Sequence, residues 1–155
     1  HYNTIDTSIF KPTPSDFRER YGLKDKFIVL GVANVWEDRK GLFDFYKLAE
    51  MLDDRYVIVL VGLTEKQIKN LPKNIKGIQR TNSPQELAAI YTAADVFVNP
   101  TYEDNYPTVN LEAQACETPV ITYDTGGCRE TIHTDSAKVV EAGNVEGLYK
   151  EITIR

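Results

Sequence analysis

One window of the chain, Asn99 to Gly127, reads NPTYEDNYPTVNLEAQACETPVITYDTGG and crowds carboxylates, a proline-opened helix and a paired-glycine turn together. Pro107 suits the first turn of a helix over 107–116, where its missing N–H costs nothing. The N–H groups of about Thr108 to Asn110 then lack intrahelical partners and, with the helix dipole, can cradle an anion. Val109 adds its amide to that cradle. Glu112 stands four residues after Thr108, which places it on the same face one turn deeper. Its neighbours Val109, Leu111, Ala113, Ala115 and Cys116 leave this helix little polar surface. A carboxylate so placed needs donors, and the two hydroxyls of a ribose would supply them. Capping of a neighbouring backbone, or simple contact with solvent, is the plainer alternative for Glu112.

Seven residues separate Asp104 from Glu112, and Glu103 stands beside Asp104. An acid in that loop could touch hydroxyls of a bound group or be a solvated turn residue; acids are common in turns. The segment GVANVWEDRKG carries Arg39 and Lys40 ahead of Gly41, cations that could neutralise a diphosphate. A solvated KG turn opening a helix at Leu42 explains the same residues. Arg80 and Thr81 precede Asn82, Ser83 and Pro84, a loop whose backbone could pair with a base, or a capped turn into a helix. Gly126 and Gly127 form a second turn through which backbone could reach a ligand. Trp36 is the only tryptophan and reads as a core plug rather than a stacking platform.

These residues need a frame, and the hydropathy pattern supplies one. Apolar runs at 27–32, 56–61, 75–79, 95–99, 119–123 and 138–141 alternate with helix-period segments at 42–52, 65–70, 84–93, 107–116 and 129–133. A last helix follows Asn144, whose side chain can cap it. Several strands are apolar on consecutive residues, as a parallel sheet covered on both faces requires. The repetition predicts a doubly wound, Rossmann-like α/β fold with a parallel sheet of about six strands and helices on both faces. In such sheets ligands bind beyond the carboxyl ends of the strands. Those ends are the loops at 31–41, 62–64, 79–83, 100–107 and 124–128, and nearly every unusual residue falls in one of them.

The remaining numbers set bounds. A chain of 155 residues, 42% hydrophobic and 26% charged, fits one globular domain. No apolar run reaches the ~20 residues of a membrane span, and no signal peptide opens the sequence. The net charge of −5 argues against nucleic acid as a partner. Cys116 and Cys128 lack metal or redox spacing and are expected as reduced thiols, and His1 and His133 are too scattered for a metal site. A dinucleotide oxidoreductase is disfavoured because no GxGxxG follows the first strand.

The window from about Phe27 to Gly147 resembles the C-terminal, donor-binding domain of the GT-B glycosyltransferases. The likeness is to the large retaining group with many capsule and lipopolysaccharide sugar transferases, the glycosyl transferases group 1. The passage TIDTSIFKPT resembles the hinge entering that domain, YEDNYPTVNLEAQAC with TPVITYDTGG resembles its acid-pair motif, and Lys40-Gly41 its diphosphate-binding lysine–glycine. The resemblance implies residues 1–24 as hinge, or linker, with a short helix, and 25–155 as a nucleotide-sugar donor-binding domain, the acceptor domain lying outside this chain. It implies a donor that is most often a UDP-sugar, no required metal or other cofactor, and transfer of a hexose-type sugar to a polysaccharide or glycolipid with retention by front-face attack.

In the site so implied, Glu112 binds ribose hydroxyls and Lys40 the diphosphate, while Asp104 or Glu103 touches the sugar. Asn105, Thr108, Val109, Arg39, Arg80, Thr81, Gly126 and Gly127 complete it. Three departures from the family pattern stand out. Asp104 replaces a glutamate, Asn34 stands where an arginine is usual, and Glu117 takes a glycine position that favours a left-handed backbone at a cost of about 1 kcal/mol. The full-length protein is expected in the cytoplasm, with peripheral attachment to the inner membrane left open, and the isolated domain is expected to bind nucleotide without transferring sugar. A nucleotide-sugar epimerase of the same architecture and a non-catalytic nucleotide-binding module are the alternatives.

Overall fold

The computed structural model describes residues 5–155; His1 lies outside the described residues. The chain runs α1 (Phe17–Arg20), β1 (Phe27–Val32), α2 (Leu42–Met51), β2 (Tyr56–Val61), α3 (Glu65–Lys69), β3 (Ile75–Ile78), α4 (Pro84–Ala93), β4 (Val96–Asn99), α5 (Thr108–Ala115), β5 (Val120–Tyr123), β6 (Lys138–Val140) and α6 (Val145–Thr153). Single 3-10 turns occupy Asp38–Lys40 and Arg129–Thr131. The six strands form one sheet in the order β3-β2-β1-β4-β5-β6, and every pairing is parallel. This is the Rossmann-like α/β arrangement that the consecutive apolar runs predict.

Side chains alternate across the sheet, which explains why both parities in each strand are apolar. Ile28 and Leu30 pack with Val57, Val59, Phe97 and Val120 under Phe17, Ala88, Tyr91 and Ala113. Val29 packs with Ile58, Leu60, Val96 and Ile121 under Phe45, Leu48, Leu148 and Ile152. Trp36 belongs to the second layer at 5% exposure; its Nε1 donates to Val61 O, and its ring meets Phe45 edge-on. It is a core plug.

The lead-in is firmly docked. Phe17 and Leu23 are buried, and Arg18 donates to Ala93 O, Lys26 O and Asp95 Oδ2. Asp95 in turn accepts from Ile28 N, so a segment read as hinge is tied to two strands.

Local signals act as their chemistry requires. Ser83 caps α4 by accepting from Glu86 N, and Asn144 caps α6 by accepting from Gly147 N. α5 ends in a Schellman motif: Thr118 N bonds Ala113 O, Glu117 N bonds Gln114 O, and Glu117 takes φ 63°. Two expectations need correction. Pro107, at ψ 104°, is the residue that caps α5 and not its first helical residue, and Asn110 N bonds back to Pro107 O. The segment after Gly127 forms one 3-10 turn instead of a helix over 129–133.

Candidate active site

The strand order reverses between β1 and β4, the switch point where open parallel sheets bind ligands. A cleft of about 370 Å³ lies there, lined among others by Arg39, Lys40, Asp104, Thr108, Val109 and Glu112. The sequence therefore pointed to six residues that the fold gathers around one space. Thr108 and Val109 N–H have no hydrogen-bond partner among the described residues, and no side chain caps this helix. Asn110 does not share in that cradle, because its N–H is taken by Pro107 O. Its side chain is fully buried beneath the helix, accepting from Asn99 Nδ2 and donating to Thr131 Oγ1. Gln114 adds bonds to Asn110 O and Thr131 O, so α5 stands on a buried polar footing that fixes its direction.

Glu112 is held by a residue to which nothing in the sequence pointed. Tyr91, fully buried on α4, donates its hydroxyl to Glu112 Oε1 at 2.7 Å. Glu112 Oε2 has no partner among the described residues, in a side chain that lines the cleft. Burial pushes the Glu112 carboxyl above its ordinary value, with the Tyr91 bond opposing the rise. Burial, together with the adjacent Glu112 charge, also holds the Tyr91 phenol well above its usual range. A half-buried carboxylate with one oxygen fixed and one spare suits it to accept hydroxyl donors from a ligand.

The loop carrying the other acids is clamped from both sides. Tyr102 N bonds Arg39 O, Thr101 Oγ1 donates to Arg39 O and to Glu103 O, and Thr125 Oγ1 donates to Thr101 O. Gly41 sits at φ 88°, and a Cβ there would come within 2.2 Å of Pro100 O, so only glycine permits this approach. Tyr102 also donates to Asp44, a carboxylate 5% exposed on α2, which accepts from Tyr123 OH as well. The two rings meet edge-on at 5.4 Å.

Lys40 Nζ lies 3.1 Å from Asp104 Oδ2, with both side chains about one-quarter exposed. Glu103 is exposed, and with Asn105 it lines a second cavity of about 410 Å³ that shares Arg39, Lys40, Asp104 and Tyr106 with the first. Arg39 Nε is bound to Glu37 Oε2 at 2.8 Å. Arg80 and Thr81 line a third cavity of about 630 Å³ with Gly62 and Gln79, adjoining the first through Val32 to Asn34 and Leu87.

Gly126 and Gly127 line none of these spaces. Gly127 N is spent on Asp104 O, and Cβ atoms on either glycine would strike Asp104 O or Asn105 O at 1.8 Å. They let the β5 loop press against the acid loop, which corrects the expectation of a ligand-facing turn. Cys116 and Cys128 are free and buried, and burial pushes the Cys116 thiol up to about 11. Among the described residues no three of His, Cys, Asp and Glu gather as metal ligands would, and no helix is long and apolar enough to cross a membrane.

Comparison with known proteins places this geometry. The chain is 31% identical over 160 residues to the alpha-galactosylglucosyldiacylglycerol synthase of Streptococcus pneumoniae, covering 92% of this chain and 39% of that protein. It is 30% identical over 120 residues to the N,N'-diacetylbacillosaminyl-diphospho-undecaprenol alpha-1,3-N-acetylgalactosaminyltransferase of Campylobacter jejuni, covering 75% of this chain and 31% of that one. The chain thus spans well under half the length of these relatives.

Among solved structures, Anabaena Alr3699/HepE in complex with UDP-glucose superposes with a TM-score of 0.84 at 20% identity, over 99% of this chain and 46% of that one. The C-terminal domain of a glycosyl transferase group 1 family protein, LpcC of Francisella tularensis, superposes at 0.75 and 20% identity over 97% of this chain and 87% of that one. These two likenesses establish the fold. The profile of the family described as "Glycosyl transferases group 1" matches residues 15–154, nearly the whole chain, and the chain belongs to that family.

Proposed function

We propose that this chain is the donor-binding domain of a retaining glycosyltransferase that carries a hexose-type sugar from a UDP-sugar to a polysaccharide or glycolipid acceptor. The observation that carries the reading is the convergence on one cleft of the Glu112 carboxylate, the Thr108 and Val109 amides, unpartnered among the described residues, and the Lys40 ammonium. Amides and ammonium suit a diphosphate, and the spare Glu112 oxygen suits ribose hydroxyls one turn deeper. The third cavity, with Arg80 and Thr81, extends from the first and offers room for the base.

The wider proposal follows from the company the chain keeps. It spans less than half of its relatives, so the acceptor domain is assigned to the rest of a longer protein. In the proposed reaction the acceptor hydroxyl attacks the anomeric carbon on the face that the diphosphate leaves. Its proton passes to the departing phosphate oxygen, and no metal is required. Asp104 is the acid on the cleft side and is assigned to the donor sugar, with Glu103 and Asn105 at the margin of the second cavity.

Titration calorimetry of the domain with UDP, GDP, ADP and uridine tests this. UDP is expected to bind well above uridine, and Lys40→Ala is expected to weaken diphosphates while leaving uridine unchanged. Equal binding of uridine and UDP by the wild type would overturn the phosphate cradle.

A further inference from the structure

The cation assigned to the diphosphate is not idle in the unliganded protein. Lys40 Nζ is engaged by Asp104 Oδ2 at 3.1 Å, across a separation of 64 residues in sequence. The pair belongs to the shared wall of two cavities, the cleft that holds Glu112 and the space lined by Glu103 and Asn105. The backbones on both sides are fixed: Gly41 against Pro100 behind Lys40, and Asp104 O against Gly127 N behind the carboxylate. Lys40 and Asp104 can therefore exchange partners by side-chain rotation alone, without moving either loop.

Resting on the donor-site reading above, we infer that this ion pair discriminates a nucleoside diphosphate carrying a hydroxylated group from the bare nucleoside diphosphate. A diphosphate that takes Lys40 strips Asp104 of its counter-ion and leaves a carboxylate beside new negative charge. A bare nucleoside diphosphate gives that carboxylate no donor in return. A ligand with a hydroxyl-bearing group beyond the diphosphate supplies donors to the released oxygen, and the exchange closes. Asp104 is thus a specificity residue: it taxes the leaving product and rewards the intact donor. The pair is part-exposed, which makes the tax modest and the exchange fast.

The test is a double-mutant cycle read by binding of UDP, UDP-glucose and uridine to the wild type, Asp104→Asn, Lys40→Met and the double variant, weak complexes being followed by NMR into the millimolar range. Asp104→Asn is expected to tighten UDP by about two- to fivefold, the range of a partly exposed ion pair, while leaving uridine unchanged. UDP-glucose is not expected to tighten, so the preference for UDP-glucose over UDP falls. In the Lys40→Met background the gain in UDP affinity is expected to shrink, because no counter-ion is then lost on binding and only the repulsion remains.

UDP affinity unaltered or lowered by Asp104→Asn would overturn the inference, as would a full gain persisting without Lys40, because repulsion alone would then explain it. In either case a wild-type preference for UDP over uridine leaves the donor site standing. Absence of that preference brings down the donor-site reading itself, and the inference with it.

Discussion

Asp44 on α2 and Glu112 on α5 are both carboxylates set against tyrosine hydroxyls, in the layers on opposite faces of one sheet. At Asp44 two hydroxyls, from Tyr102 and Tyr123, converge on Oδ2, and the residue is 5% exposed. At Glu112 one hydroxyl, from Tyr91, occupies Oε1, and the side chain opens on a cleft with Oε2 spare among the described residues. The contrast separates two uses of a costly group. An acid closed in by protein donors acts as a staple: here it joins α2, the acid loop and β5. One left short of donors beside a cavity can accept those a ligand brings.

The largest expected effect tests the staple. Asp44→Ala deprives the buried Tyr123 hydroxyl and the Tyr102 hydroxyl of their shared acceptor, and should cost about 3 kcal/mol in denaturant unfolding. Glu112→Ala strands only Tyr91 and should cost about 1 kcal/mol. Equal losses would break the distinction.

Next comes the end of α5. Glu117 holds φ 63° in the Schellman turn, and Glu117→Gly should raise stability by about 1 kcal/mol on thermal unfolding. Little or no gain would mean that the strain is relieved by contacts of the Glu117 side chain.

A subtler effect concerns pH. The Glu112 carboxyl is raised above 4.5 by burial, so the folded protein holds a proton there that the unfolded chain has already lost. This group's contribution to stability is therefore fullest below the unfolded value and declines as pH rises through the raised folded value. Glu112→Gln should flatten that part of the pH–stability profile and leave the neutral-pH protein more stable. A steeper decline in the variant would contradict the assignment. Smallest of all, Arg129→Ala breaks an exposed pair with Asp124 and should leave the melting temperature unmoved.

Much of this was legible in the residues before the fold. Runs such as YVIVLV announce a strand buried on both faces, Ser83-Pro84 and Asn144 announce helix starts, and the spacing of Thr108, Glu112 and Pro107 announces one helix face, which the fold turns to the cleft. The sequence was blind to the distant protein partners that hold these side chains. Tyr91 lies 21 residues from Glu112, Tyr123 lies 79 from Asp44, and Asp104 lies 64 from Lys40.

Asp44 did leave one trace: it stands four residues before Leu48 on the buried stripe of α2, an acid where the pattern asks for an apolar residue. Gly126 and Gly127 misled for a different reason. A glycine pair signals close approach of backbone but not what approaches, and here it is the acid loop rather than a ligand.

In the proposed site the spare oxygen of Glu112 receives ribose hydroxyls while the Thr108 and Val109 amides receive phosphate. The most direct measurement compares binding of UDP and 2′,3′-dideoxy-UDP to the wild type and to Glu112→Ala. The wild type is expected to prefer UDP by about tenfold or more, the worth of a charge-assisted hydrogen bond. Glu112→Ala should bind both alike, near the wild-type affinity for the dideoxy compound. Equal affinity of the wild type for the two nucleotides would contradict it.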